Sequence, residues 1–296
     1  MGVAGIRPSQ VVGAAGSSVD VSIEDVVDLD RYPVLDPSGV AYAELVGAAR
    51  AQLRHTGAVE LAGFLTPDGI DALAADADAL APRAHHSDGV GTAYIEYPDF
   101  SLPEDHPRLT WGHYAVGAVP YDVMPHTSLL RRLYEWEPLR QLVESILDRG
   151  TIHRYADPFG ALNLAVMTEG DELQWHFDQT DFVVSLAIQT AAHGGAFDVF
   201  PRIRSGDDEH YDDVADALAG TRSGVVTLPM VPGTLLVFEG RHSLHRVSPV
   251  GPGSPRHVGL LAYDTVAGTM GSELLRETRY GRTQPYATPQ ESWPAP

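Results

Sequence analysis

A histidine and an aspartate stand two positions apart in the segment Gln174-Trp175-His176-Phe177-Asp178. On a β-strand, residues two apart point to the same face, so His176 and Asp178 can bind one metal ion while Phe177 faces the other way. A third ligand must come from elsewhere in the chain. The later segment Leu244-His245-Arg246-Val247 offers His245, far enough along for intervening strands to return the chain. His242 is the only rival for this role, and the apolar context of His245 favours His245.

Two imidazoles and one carboxylate leave three positions of an octahedral metal open, as in the facial triad of non-heme Fe(II) oxygenases. Two open positions can chelate a 2-oxo acid, and the third can take dioxygen. Arg256 follows His245 at the start of another apolar segment. A guanidinium binds a carboxylate in a bidentate pair, which suits the distal carboxylate of 2-oxoglutarate. A His-x-Asp pair alone is a weak signal, but its combination with His245 and Arg256 is specific.

The composition excludes several other kinds of chemistry. The chain of 296 residues has no cysteine, so thiolate zinc sites, iron–sulfur clusters, cysteine nucleophiles and disulfides are absent. Its formal net charge of -20 disfavours binding to nucleic acid or to an anionic membrane. The first residues lack the apolar core of a secretory signal, and no segment approaches the length of a membrane span. We therefore expect a cytoplasmic protein, and a homodimer is left open.

The first half of the chain predicts helices around a long loop. An Ala-rich amphipathic pattern over 40–53 predicts a helix, and residues 58–61 a short strand. Thr66 followed by Pro67 is typical of a helix start, and that helix should end near Leu80. Residues 83–125, rich in His, Tyr, Pro and Asp, predict a long ordered loop with short strands. Helices are expected over 129–135 and 139–147, separated by Pro138.

From about Ala161 the chain becomes a series of short apolar segments separated by Gly, Pro and Asp. Seven or eight such strands without helical crossovers predict an antiparallel sandwich or jelly roll. The polar stretch 204–223 predicts an inserted loop or short helix over one mouth of the barrel. The whole is an α+β fold with a mainly β core: a flexible terminus over 1–25, then one domain over 26–296. That domain has a helical and loop part over 26–150 and a β core over 151–270.

The second half of the chain also resembles a known family, the 2-oxoglutarate-dependent oxygenases of double-stranded β-helix (jelly-roll) fold. More narrowly, it resembles the subgroup of bacterial free-amino-acid halogenases and their hydroxylase relatives. The likeness spans roughly residues 125–283 and rests on short motifs: Asn163-Leu164, Glu169-Gly170-Asp171, Trp175-His176-Phe177-Asp178, Gly194-Gly195-Ala196-Phe197, Phe238-Glu239-Gly240-Arg241, Leu244-His245-Arg246-Val247, Ala262-Tyr263 and Tyr280-Gly281-Arg282. The resemblance implies Fe(II) and 2-oxoglutarate as cofactors and a small amino-acid-like substrate, in natural-product biosynthesis.

The residue at position 178 separates the reactions known in that subgroup. In its halogenases a small residue replaces the metal-binding carboxylate, and chloride binds iron in the vacancy. This chain has Asp178 there, so the resemblance implies hydroxylation of an unactivated C–H bond rather than halogenation. Oxidative cyclisation, such as cyclopropane formation, or desaturation would use the same iron site and stays an alternative. A non-catalytic jelly-roll binding module is a further alternative, against which the complete triad and Arg256 argue.

The residues that contact cofactor and substrate are less well defined by the sequence. Asn163, on the strand before the triad, is a candidate hydrogen-bond partner of 2-oxoglutarate or of the substrate. Gln179 replaces an acid that holds the substrate ammonium in lysine-type members, which favours a substrate side chain without an ammonium. The other candidate substrate contacts come from the pocket wall, the polar-aromatic loop and the insertion: Trp175, His113, Tyr114, Tyr121 and Arg204. Arg246 should point away from the metal.

Overall fold

The computed structural model describes residues 21–286, beginning with three helices and a strand. These are α1 (Ile23–Val26), α2 (Val40–Thr56), β1 (Ala58–Leu61) and α3 (Pro67–Leu80). The Thr66 hydroxyl accepts a hydrogen bond from the Gly69 N–H at 3.0 Å, which caps α3 as predicted. The predictions for α2, β1 and α3 are confirmed. Most of the expected flexible terminus, 1–20, lies outside the described residues, but within 21–25 the chain already enters α1.

Residues 83–125, predicted to be a long ordered loop with short strands, contain two long paired strands joined by the loop 93–110. The strands of this hairpin are β2 (His85–Thr92) and β3 (Trp111–Pro120), paired in register along eight positions. β2 lacks an alternating apolar pattern and is mostly exposed, so its sequence gives little strand signal. β3 lies in the middle of the main sheet, where it pairs with two later strands. Tertiary pairing, not local propensity, makes this segment β.

Two further helices, α4 (Leu129–Glu135) and α5 (Glu137–Leu147), are nearly continuous. Pro138 lies in the first turn of α5, where its missing N–H costs nothing. The apolar faces of the helices pack on the outer face of the sheet and form the largest core cluster, which includes Leu53, Leu73, Leu133, Ile146, Val184 and Val237. The helices thus cover one face of the sheet, and the opposite face lines the cavity that holds the candidate metal ligands.

The remaining elements are short strands with two helices among them: β4 (His153–Arg154), β5 (Leu162–Met167), β6 (Glu172–His176), β7 (Val183–Gln189), β8 (Phe197–Phe200), α6 (Tyr211–Leu218), β9 (Val226–Leu228), β10 (Leu235–Phe238), β11 (Leu244–Val247), β12 (Arg256–Leu261), β13 (Tyr263–Asp264) and α7 (Glu273–Tyr280). The main sheet is antiparallel with the order β1-β10-β7-β12-β5-β3-β6-β11-β8-β9, and β2 flanks β3. It curls into the predicted jelly roll. The β core therefore begins at residue 58, well before the predicted residue 151.

The insertion 204–223 does not lie over the mouth of the barrel that holds the metal ligands. Val214 and Ala217 of α6 pack instead into an apolar cluster beside Trp175 and Phe200. The C-terminal helix α7, for which the sequence analysis made no prediction, lies at that mouth and contacts β2 and β3. Within residues 21–286 the structure contains no helix long and apolar enough to cross a membrane.

Candidate metal centre

The structure brings the three predicted metal ligands together. His176 ends β6 and is paired directly with His245 of β11 across the sheet. Asp178 follows β6, and its Oδ2 lies 3.4 Å from His245 Nε2. One ligand atom from each of the three side chains lies within 4.8 Å of the others. This is the spacing that a single metal ion bound on one face requires.

Backbone carbonyls orient both imidazoles. The Nδ1 of His176 is 2.7 Å from the Gln174 carbonyl oxygen, and the Nδ1 of His245 is 2.8 Å from that of Ser243. Because Nδ1 donates to the carbonyl, Nε2 keeps its lone pair for a metal. Burial lowers the pKa of both imidazoles to about 4, so both are neutral near pH 7. Neutral imidazole is the form that binds metal.

The Asp178 carboxylate lacks a protein partner of its own. Its buried Oδ2 has no hydrogen-bond partner among the described residues, and burial raises the pKa of the carboxyl group. A Cβ at position 240 would lie 1.9 Å from this oxygen, so any residue other than glycine would displace the carboxylate. A buried carboxylate oxygen without a donor, beside two oriented imidazoles, fits a bound cation.

Arg256 begins β12 and lines the same cavity as the triad. Its side chain is buried and forms no ion pair with an acidic group among residues 21–286; its guanidinium contacts the Met167 sulfur at 3.8 Å. Burial lowers the pKa of its guanidinium to about 10, which leaves it charged at neutral pH. A buried, unpaired cation is costly unless an anion joins it. Ser185 adds a buried hydroxyl to the same cavity.

The cavity between these groups has a volume of about 260 Å³. Apart from the triad and Arg256 its lining is largely apolar, and includes Ala165, Leu173, Phe197, Leu236, Phe238 and Val258. An adjoining cleft of about 230 Å³ shares Asp178, Leu260 and Arg279 with it. The site thus has an enclosed chamber at the metal and a more polar outer cleft.

Two of the predicted contact residues lie in these spaces. The ring of Tyr114 packs edge-on against His176, with ring centres 5.7 Å apart, and lines the chamber. Asn163 lines the outer cleft rather than the chamber with Arg256. Asn163 lies near the start of β5, and Met167 is the last residue of that strand. Met167 is paired with Arg256 of the neighbouring strand β12, so Asn163 and Arg256 lie at opposite ends of this pair of strands.

The other predicted substrate contacts do not line the chamber or the cleft. Gln179 is exposed and donates to the Ile95 carbonyl oxygen at 2.9 Å. His113 lies between Asp88 and Glu172 on the hairpin surface. The remaining three pack elsewhere: Trp175 against Phe200, Tyr121 against Arg131, and Arg204 over Phe177. Arg246 pairs with Asp198 away from the metal, as predicted.

The sequence analysis missed Arg279, a residue of α7 that lines both spaces. A helix here was detectable, because Ser272 is an N-cap residue and Gly281 a left-handed C-cap. Nothing in the sequence indicated that this helix would reach the metal site.

The fold and the site define a jelly-roll protein with a facial metal site of two histidines and one carboxylate. A family model described as Halogenase D matches residues 113–280, more than half of the chain, and the chain belongs to this family. The match confirms the resemblance to the Fe(II)/2-oxoglutarate oxygenases that the motifs indicated. No curated protein matches the sequence significantly.

Solved structures with a similar fold share little sequence with this chain. AviO1 from Streptomyces viridochromogenes Tue57 is 22% identical, with a TM-score of 0.51 over 75% of this chain and 96% of its own. The epimerase SnoN of nogalamycin biosynthesis is 16% identical, with a TM-score of 0.51 over 75% and 81%. The carbocyclase SnoK of the same biosynthesis is 14% identical, with a TM-score of 0.51 over 73% and 82%. At these identities the similarity establishes the fold.

Proposed function

We propose that this protein is an Fe(II)- and 2-oxoglutarate-dependent oxygenase that hydroxylates an unactivated C–H bond of a small amino-acid-like substrate. One observation carries the proposal: the unpaired Arg256 guanidinium is buried in the same cavity as His176, Asp178 and His245. A triad alone fits several divalent metals. A triad with a buried carboxylate-binding group in a shared chamber fits a 2-oxo acid that also binds the metal.

Each group in the chamber then has a distinct task. When bound, iron and 2-oxoglutarate supply the oxidative chemistry that activates dioxygen and cleaves the C–H bond. His176, Asp178 and His245 would hold the metal. Arg256 pairs with the distal carboxylate of 2-oxoglutarate and fixes its orientation. The apolar walls exclude water, which protects the reactive site from side reactions.

Asp178 favours hydroxylation over halogenation within this family. Its carboxylate would fill the coordination position that chloride needs. The carboxylate fits beside residue 240 because glycine has no Cβ. Oxidative cyclisation or desaturation of an amino-acid derivative would need the same iron site. Hydroxylation, halogenation and the loss of two hydrogens differ in the mass of the product, whereas cyclisation and desaturation give the same mass.

The cofactor assignment is tested by adding Fe(II) and 2-oxoglutarate to the protein under anaerobic conditions. We expect the visible charge-transfer absorption of 2-oxoglutarate chelated to Fe(II) at a facial site. In chloride-free buffer, where no halide can take the place of the carboxylate, Asp178→Ala should lose the band through weaker iron binding. Arg256→Met should require roughly 10–100-fold more 2-oxoglutarate to produce it. A wild-type protein without the band, or one whose Asp178→Ala variant keeps it unchanged, would contradict the assignment.

The reaction is tested by incubating the iron- and 2-oxoglutarate-loaded enzyme with an amino-acid library, oxygen and chloride, and analysing products by mass spectrometry. We expect gain of one oxygen atom, the mark of hydroxylation. Loss of two hydrogens would identify cyclisation or desaturation instead, and replacement of hydrogen by chlorine would overturn the argument from Asp178. If no amino acid is converted although the charge-transfer band forms, the substrate class is wrong and the cofactor assignment stands.

A further inference from the structure

The end of helix α7 and the residues just after it carry three arginines with different surroundings. Arg276 pairs with the buried Asp157, its Nε 3.3 Å from a carboxylate oxygen. Arg282 forms a two-point pair with Asp122, at 2.7 and 2.8 Å. Arg279, between them, has no hydrogen bond and no ion pair within residues 21–286. Its electrostatic partners are Tyr280 and Asp178, and it lines the metal chamber and the outer cleft.

The helix that carries Arg279 is anchored near both of its ends. Asp157 also accepts from the Gly271 N–H at 2.7 Å, which anchors the start of α7. At its end, the Tyr280 hydroxyl accepts from Asn163 Nδ2 at 2.8 Å. Anchored at both ends, α7 holds Arg279 toward the metal side of the cleft. A cation that faces the cleft and forms no ion pair within the described residues is suited to bind an anion from outside the protein.

Two buried polar atoms in the same cleft are also without partners in the described part of the chain. They are the Asn163 side-chain oxygen and the Tyr263 hydroxyl. Asn163 is only 5% exposed and Tyr263 2%. Buried polar atoms are nearly always hydrogen-bonded, so a pair of unpaired ones facing a cavity indicates a ligand. The Asn163 oxygen accepts hydrogen bonds, which complements the donors of Arg279.

We propose that the outer cleft binds the head group of an α-amino acid: Arg279 pairs with its free carboxylate, and the Asn163 side-chain oxygen accepts from its ammonium. This deepens the proposed function and rests on it. The head group would lie in the cleft, and the side chain would extend past Leu260 and Asp178 into the apolar chamber. The substrate is then a free amino acid with an unmodified carboxylate and a largely apolar side chain.

Arg279 and Arg256 serve different carboxylates in this arrangement. Arg256 lies at the Met167 end of β5, whereas Asn163 and the cleft lie at the other end of that strand. Arg256 does not line the cleft, and Asn163 does not line the chamber. Loss of Arg279 should therefore weaken substrate binding without weakening 2-oxoglutarate binding.

The test compares the amino acid that is converted best in the library screen with its own carboxamide. We expect wild-type enzyme to prefer the acid by about 30–100-fold in kcat/KM, the effect of one charge-assisted pair. Arg279→Met should reduce this preference to about 3-fold or less, mainly by raising KM for the acid. Arg279→Lys should recover part of the preference. The KM for 2-oxoglutarate and the anaerobic absorption band should stay as in wild type.

Arg54→Met is the charge control, because it removes an arginine from an exposed position on α2 that lines neither the chamber nor the cleft. It should keep the wild-type preference for the acid. The inference alone is overturned if Arg279→Met keeps the full preference, if Arg54→Met loses it equally, or if Arg279→Met instead weakens the binding of 2-oxoglutarate. If wild type forms the band but converts no amino acid, the proposed substrate class fails and this inference fails with it.

Discussion

At the scale of single residues, Asp178 and Gly240 act as one unit. In the proposed site, the carboxylate binds the metal and also occupies the position that a halide would take. It can stand there only because residue 240 has no side chain, since a Cβ would approach its Oδ2 to 1.9 Å. The backbone also ties the two together: the Asp178 N–H donates to the Gly240 carbonyl oxygen at 3.2 Å.

Gly240→Ala should therefore weaken metal binding in a protein that still folds. The added methyl group displaces the carboxylate, and we expect the affinity for Fe(II) to fall by about 10–100-fold. Anaerobic titration with Fe(II), followed by the charge-transfer band at saturating 2-oxoglutarate, measures the change. Gly47→Ala is the control, because its Cβ in helix α2 would meet nothing within 4 Å. Equal affinity in the two variants would contradict the proposed role of Gly240.

At the scale of elements, α6 and α7 have roles that the sequence analysis did not predict. The insertion that contains α6 was expected over a mouth of the barrel, and no helix was predicted at α7. α6, inside the polar insertion, packs beside Trp175 and serves the stability of the outer wall. α7, near the end of the described chain, covers the mouth of the barrel and brings Leu275 and Arg279 to the cavity. It is short and exposes several apolar side chains, so its position depends on a few anchoring contacts.

Arg282→Met should loosen α7 selectively. It leaves the largely buried Asp122 carboxylate without its guanidinium, which we expect to cost about 2–4 kcal/mol in the free energy of opening α7. Hydrogen exchange of the 273–281 amides should accelerate, while that of α2 and α5 should not. Arg279→Met, which breaks no ion pair, should leave α7 exchange near the wild-type rate. Uniform acceleration across the whole protein in Arg282→Met would argue against a local anchor.

At the scale of the whole molecule, the site is assembled from distant parts of the chain. The ligands come from β6, the turn after it, and β11, while Arg256 comes from β12 and Tyr114 from β3. Closing the sheet brings the partly buried Asp178 carboxylate and the buried Arg256 guanidinium into one cavity, and neither forms an ion pair with an Arg, Lys, Asp or Glu side chain among the described residues. The folded protein therefore carries unfavourable electrostatic energy that bound metal and 2-oxoglutarate would relieve.

Binding of the cofactors should accordingly raise the stability of the fold. With Mn²⁺, which is inert to oxygen here, and 2-oxoglutarate each at 100 times its dissociation constant, each contributes about 2.7 kcal/mol. For a chain of this size each step should raise Tm by roughly 5–10 °C. Thermal unfolding followed by circular dichroism measures both steps. Arg256→Met should keep the metal step and lose most of the 2-oxoglutarate step, and loss of both or of neither would contradict the division of roles.

The sequence by itself indicated the candidate metal ligands, most strands of its second half and the helices α2 to α5. These features are local: His176 ends β6 with Asp178 two residues later, and Thr66 caps α3 within one turn. The resemblance to the Fe(II)/2-oxoglutarate oxygenases came from the same short motifs.

Only the tertiary structure decided which other residues approach the metal. The hairpin β2–β3 is strand because β3 pairs with β5 and β6, not because its residues favour it. Trp175 and Arg204 have side chains that could bind a substrate, but they pack outside the metal chamber, against Phe200 and Phe177. Arg279, which does line the chamber, comes from a helix distant in the sequence. Proximity across the mouth of a barrel depends on how strands and helices pack in three dimensions, and no local pattern of residue types encodes it.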